Sequence, residues 1–92
     1  MEVKNTKSFL TKLEDIFAES EYILRYEKGN FKSGYCILKD TKIVIVNKFY
    51  SLEGKINCLI EILRAIDFNP DNFSEKSRKL FLEISPKELK NW

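Results

Sequence analysis

Apolar side chains follow two rhythms along this chain, and the switches between them mark its elements. Phe9, Leu10, Leu13, Ile16 and Phe17 recur at helical spacing, while Lys7, Lys12, Glu14, Asp15 and Glu19 occupy the other side. An amphipathic helix is predicted there, capped at its start by Asn5 or Thr6. Leu24 would continue the stripe, but the β-branched and aromatic content of Tyr22 to Glu27 favours a strand. Lys28-Gly29-Asn30 reads as a turn. Phe31 to Lys39 alternates, with Phe31, Tyr35 and Ile37 on one face and Cys36 and Leu38 on the other. Gly34 interrupts it, as glycine does at a bulge or a close backbone approach.

After a short hairpin connection at Asp40-Thr41, Lys42 to Lys48 forms a third strand whose apolar run is unbroken. Such a strand is expected to be covered on both faces, either as the centre of the sheet or sealed by a partner molecule. Ser51 to Asp67 is the strongest helical pattern, with Leu52, Ile56, Leu59, Leu63 and Ile66 in register. Cys58, Ile60, Ile62 and Ala65 widen its apolar arc past half the circumference, so this helix should be buried on more than one side. Phe68-Asn69-Pro70-Asp71 breaks the chain, and Asn72 to Glu75 has a capping-box pattern before a helix reaching about Ile84. Ser85-Pro86-Lys87-Glu88 resets the start signal for a last turn carrying Leu89 and Trp92. The fold class expected is α+β: an N-terminal helix, a three-stranded antiparallel sheet, then two or three helices, all in one domain over residues 1–92.

Composition narrows the chemistry more than it suggests any. There is no histidine among the 92 residues. That removes the commonest general base, the commonest zinc ligand and every Ser-His or Cys-His mechanism, so neither catalysis nor a cofactor is expected. Cys36 and Cys58 lack metal or redox spacing and read as reduced, buried small hydrophobes. The longest apolar run, Ile43 to Val46, is far short of the ~20 residues of a membrane span. The first seven residues lack a signal peptide's apolar core, which makes a cytoplasmic location the expectation.

Charge is nearly balanced but unevenly placed: residues 1–21 carry −2, residues 22–55 carry +4 and residues 56–92 are neutral. The basic middle, with Arg25, Lys32 and Lys42 around Tyr35, could form a sheet surface that stacks and neutralises a single-stranded nucleic acid. Lysines at strand ends also serve simply to guard sheet edges. Glu61 and Arg64, three apart on the long helix, read as a surface ion pair.

Two resemblances follow from these residues. Arg25 through Cys36, Ile45 to Lys48 and Leu52-Glu53 resemble a group of short uncharacterised bacterial proteins sharing a basic-x-Gly-x-Cys strand, an Asn-Lys or Asn-Arg strand end and a Leu-Glu helix start. That likeness spans residues 22–67 and implies no activity. The order helix, three strands, helix also resembles the minimal core of ImmA/IrrE-type zinc metallopeptidases. Their His-Glu-x-x-His helix would place its glutamate on Glu61 and its two histidines on Ile60 and Arg64. The resemblance therefore implies a relative without zinc or catalysis.

The leading expectation is a non-catalytic interaction module that forms a homodimer. The third strand and the long helix carry more apolar surface than one small sheet and two short helices would cover. Tyr35, Val44, Val46, Ile60 and Ile62 are the residues expected at that interface. Single-stranded nucleic-acid binding through Arg25, Lys32, Tyr35 and Lys42, and a zinc-less metallopeptidase remnant, are the alternatives.

Overall fold

The computed structural model describes residues 5–29, 31 and 34–84. The expected last turn at residues 85–92, and Asn30, Lys32 and Ser33, lie outside the described residues. The chain forms α1 (Lys7–Ala18), β1 (Ile23–Glu27), β2 (Tyr35–Leu38), β3 (Ile43–Asn47), α2 (Leu52–Ala65), a 3-10 turn (Pro70–Asn72) and α3 (Glu75–Ile84). It is an α+β fold with an N-terminal helix, a three-stranded sheet and then helices.

Local chemistry sets the helix starts. Thr6 caps α1 by accepting the Phe9 amide at 3.1 Å, and Ser51 caps α2 by accepting the Gly54 amide at 3.1 Å. At α3 the cap is Ser74, which accepts the Ser77 amide, two residues beyond the start of the expected capping box.

The sheet departs from expectation in one respect. Its order is β1-β3-β2, with β2 antiparallel to β3 but β1 parallel to it, so the sheet is mixed rather than antiparallel. The unbroken apolar strand takes the centre, where neighbours lie on both sides. β2 is also shorter than the expected Phe31 to Lys39. It begins only after Gly34, whose φ is +88°, a left-handed conformation that costs other residues strain. A Cβ at Gly34 would also lie 2.4 Å from the Tyr50 ring, so this glycine lets the β3–α2 corner close over the strand.

One face of the sheet packs on α1 and α2. Leu13, Ile16, Phe17, Val44, Val46 and Leu59 form part of a single core. α2 contacts β3, α1 and α3, so its wide apolar arc is buried by helices of the same chain. Ala65 is the exception, for it lies exposed at the end of α2. At one end of the core Phe68 is ringed by Phe17, Tyr22, Phe73 and Phe81, with centroids 5.6 to 6.2 Å away.

Candidate interaction surfaces

Strand parity decides which residues are available. Val44, Val46 and Ile62 are fully buried at 0% exposure, and Ile60 is buried beside them. Tyr35 lies half-buried on the same face, its hydroxyl donating to Glu61 at 3.2 Å. These five residues belong to the core of the single chain or pack against it, which corrects the expectation that they form an exposed interface. α1 and α3 supply the cover that the pattern of apolar residues left unassigned.

The opposite parity faces outward. Directly paired residues share a face, so the register stacks three rows there. Ile23, Ile43 and Leu38 make the first row, Arg25, Ile45 and Cys36 the second, and Glu27 and Asn47 the third. No helix described here lies over these rows. Ile23 is 59% and Leu38 41% exposed, and Ile43, Ile45 and Cys36 are half-buried. The expectation that β3 is covered on both faces is therefore met on one face only. At the margin of the patch Arg25 and Glu27 pair at 2.5 Å.

The basic and aromatic residues are not gathered on this face. Arg25 stands on it, but Tyr35 points to the helices. Lys42 lies in the β2–β3 turn with a left-handed φ of 56°, pairs with Glu21 at 3.5 Å and rests over the Tyr22 ring. Lys32 is outside the described residues. These outward rows hold no aromatic ring, where a base-stacking sheet needs them.

The positions aligned with zinc ligands serve other ends. Ile60 is buried in the core. Arg64 donates from its Nε to the Ile84 carbonyl at 2.8 Å, capping the C-terminal end of α3, and Glu61 accepts the Tyr35 hydroxyl. Each member of the expected Glu61–Arg64 ion pair is thus directed to another element. Among the described residues no three His, Cys, Asp or Glu side chains converge as metal ligands would. Cys58 is buried, which pushes its thiol pKa up and keeps it neutral.

A second surface was not anticipated from the sequence. Among the described residues β1 is an edge strand, with β3 on one side and no strand on the other. The Ile23 amide donates to Lys42 and the Glu27 carbonyl accepts from Lys48, so Ile23, Arg25 and Glu27 turn their backbone groups toward β3. Leu24 and Tyr26 consequently present theirs to the open edge. Their side chains line one wall of a groove of about 480 Å³, and Phe17, Ala18 and Glu14 of α1 line the other. Glu14 accepts the Tyr26 hydroxyl at 2.5 Å. Burial first, and then this carboxylate, hold the phenol pKa far above its ordinary value, so the hydroxyl remains a donor. An amphipathic helix and a strand were both legible, but their juxtaposition depends on the parallel pairing.

Glu19 ties the two ends of the helical layer together. Its carboxylate accepts the Ser74 amide at 2.7 Å and the hydroxyls of Ser77 and Ser74 at 2.8 and 3.1 Å. The Ser74 amide first, then the Ser77 hydroxyl, lower the carboxyl pKa from 4.5. A depressed folded pKa gives stability that is complete above 4.5 and is lost as pH falls through the folded value. Glu19→Gln should therefore lower urea stability at pH 6 and approach the wild type by pH 3. A mutational loss equal at both pH values would show that the carboxylate charge is not the source.

The chain matches no protein-family model, no curated protein and no solved structure.

Proposed function

We propose that this protein is a non-catalytic interaction module that self-associates through the outward face of its sheet. The observation that carries the reading is the aliphatic patch of Ile23, Leu38, Ile43 and Ile45 on that face, with no described helix over it. The most apolar strand of the protein lies at its centre, with two of its isoleucines only half-covered. Exposed contiguous apolar surface of this kind characterises association sites.

Charge favours a second copy as the occupant. A two-fold pairing sets the same patch against itself, which a uniformly charged face would oppose. Here the margin carries one cation and one anion already paired, so the face is neutral and two copies approach without repulsion. Stacked face to face, the two sheets would lie about 10 Å apart as in a β-sandwich. The patch is much smaller than the ~20–30 residues a side of a standard interface, so the dimer is weak and depends on concentration.

Sedimentation equilibrium from about 1 μM to 1 mM, a range spanning the affinities of weak complexes, tests this. The expected result is a monomer–dimer transition for the wild type and a monomer throughout for Ile45→Glu, with unchanged circular dichroism. A wild type that stays monomeric across the range overturns the proposal.

A further inference from the structure

We propose that the corner between β3 and α2 is a binding site for single-stranded nucleic acid, built on the ring of Phe49 and the ammonium groups of Lys48 and Lys28. The site lies at one end of the sheet and does not depend on self-association through the outward face.

Asn47-Lys48-Phe49-Tyr50 sets two aromatic residues side by side, and the core takes only one of them. Tyr50 turns inward against Gly34 and Gly54, where a Cβ would lie 2.4 and 2.9 Å from its ring, and it packs on the core. Phe49 turns outward and is 69% exposed, the most of any large apolar side chain among the described residues. The backbone that carries it is held from two sides. The Asn47 side chain accepts the Phe49 amide at 3.0 Å and donates to the Gly29 carbonyl at 3.4 Å, and the Lys48 amide donates to the Glu27 carbonyl at 3.1 Å. These bonds also bring Lys28, beside Gly29, to the same end of the sheet.

Charge selects an anionic partner. Among the described residues neither Lys28 nor Lys48 makes an ion pair, and the adjacent Glu27 is already matched by Arg25. The next acid along the chain, Glu53, lies in the first turn of α2. Spacing then selects among anions. The Lys48 Nζ stands 5.3 Å from the centre of the Phe49 ring, and the ring's exposure leaves it open to a base. A single strand repeats a flat base and a phosphate in every nucleotide, so one nucleotide can stack on the ring and set its phosphate at the ammonium. Duplex bases are stacked on one another and do not offer that face. A membrane surface would supply the same negative charge, but it needs an apolar face that enters the lipid, and this corner offers a single largely exposed ring. The site differs from the sheet surface expected for this partner, whose Tyr35 faces the helices and whose Lys42 pairs with Glu21.

The probe is a fluorescein-labelled oligothymidylate of about 12 nucleotides, titrated with the full chain at about 20 mM salt and read by anisotropy. Saturable binding is expected, with the Lys48, Phe49 and Tyr50 amides moving in NMR spectra. Phe49→Ala should weaken it roughly fivefold or more at every salt concentration, and Phe49→Trp should restore it. Lys48→Gln and Lys28→Gln should each weaken it and also flatten its dependence on salt, because a phosphate contact is lost. Ile45→Glu, which removes self-association, should leave the titration unchanged.

No saturable binding at low salt overturns the proposal. So does a Phe49→Ala protein that binds as the wild type does, or a duplex with oligodeoxyadenylate that competes as well as the single strand. Phe49-dependent sedimentation with phosphatidylserine vesicles, without oligonucleotide binding, also overturns it and would assign the corner to a lipid surface.

Discussion

Phe68→Ala is expected to lower stability by about 3–5 kcal/mol, the usual loss for truncating a buried phenylalanine. Phe68 follows α2 in a segment without regular structure, yet it is buried and its ring meets four others. Three of those contacts are edge-on, the orientation that aromatic quadrupoles favour. The ring thereby joins α1 through Phe17, the approach to β1 through Tyr22 and α3 through Phe81. Removing it opens a cavity that backbone from three elements would have to move to fill. A domain of this length has roughly 5–14 kcal/mol in total, so the variant would be marginal at 37 °C. Phe68→Leu keeps much of the volume and should lose about 1–2 kcal/mol less, because part of the cavity term disappears. Urea denaturation followed by circular dichroism measures both. A loss below about 1 kcal/mol for the alanine variant would mean that the surrounding rings collapse into the space, and that Phe68 is not the joint described.

Ile62→Glu and Ile45→Glu should separate the two faces of the fold. Ile62 has no exposed surface and packs among sheet and helices, so a glutamate there must be buried protonated or drag α2 off the sheet. The expected cost is about 4 kcal/mol or more, enough to leave much of the chain unfolded. Ile45 is the immediate neighbour of buried Val44 and Val46 along β3 but lies on the outward face, half-buried, and a glutamate there keeps its water. Its expected cost to the fold is within about 1 kcal/mol. Thermal melting of both variants decides the point. An Ile62→Glu protein that melts like the wild type would contradict the packing of α2, and an Ile45→Glu protein that unfolds would show that the outward face is core.

The periods of hydrophobicity carried most of the element list. The stripe from Phe9 to Phe17 and the wide arc of α2 each produced their helix, and the run Ile43–Val46 identified the central strand. Strand direction was not encoded in the same way. A hairpin is a local signal, whereas the parallel pairing of Ile23 with Ile43 joins positions 20 apart that no local signal connects. The interface residues were misplaced for a related reason. With Ile, Val, Ile and Val in succession, alternation has no polar partner to mark the inward side, so Val44 and Val46 could not be told from Ile43 and Ile45. Glu61 and Arg64 looked like each other's partners at helical spacing. In the folded chain Tyr35 and the end of α3, 26 and 20 positions away, claim them instead.

The carboxylate of Glu19 has a consequence for how much of this molecule can exist alone. α3 has ten residues, fewer than the ~12–15 at which an isolated helix becomes even marginal in water. Its first turn is held by a side chain 55 positions earlier, and its last carbonyl is capped from α2. Its helicity is thus borrowed from the rest of the chain at both ends. Cut between Phe73 and Ser74, the C-terminal fragment would lose its form, and the remainder would expose Phe68 and Phe73. Among the described elements, α3 should therefore unfold together with α1 and α2 rather than ahead of them.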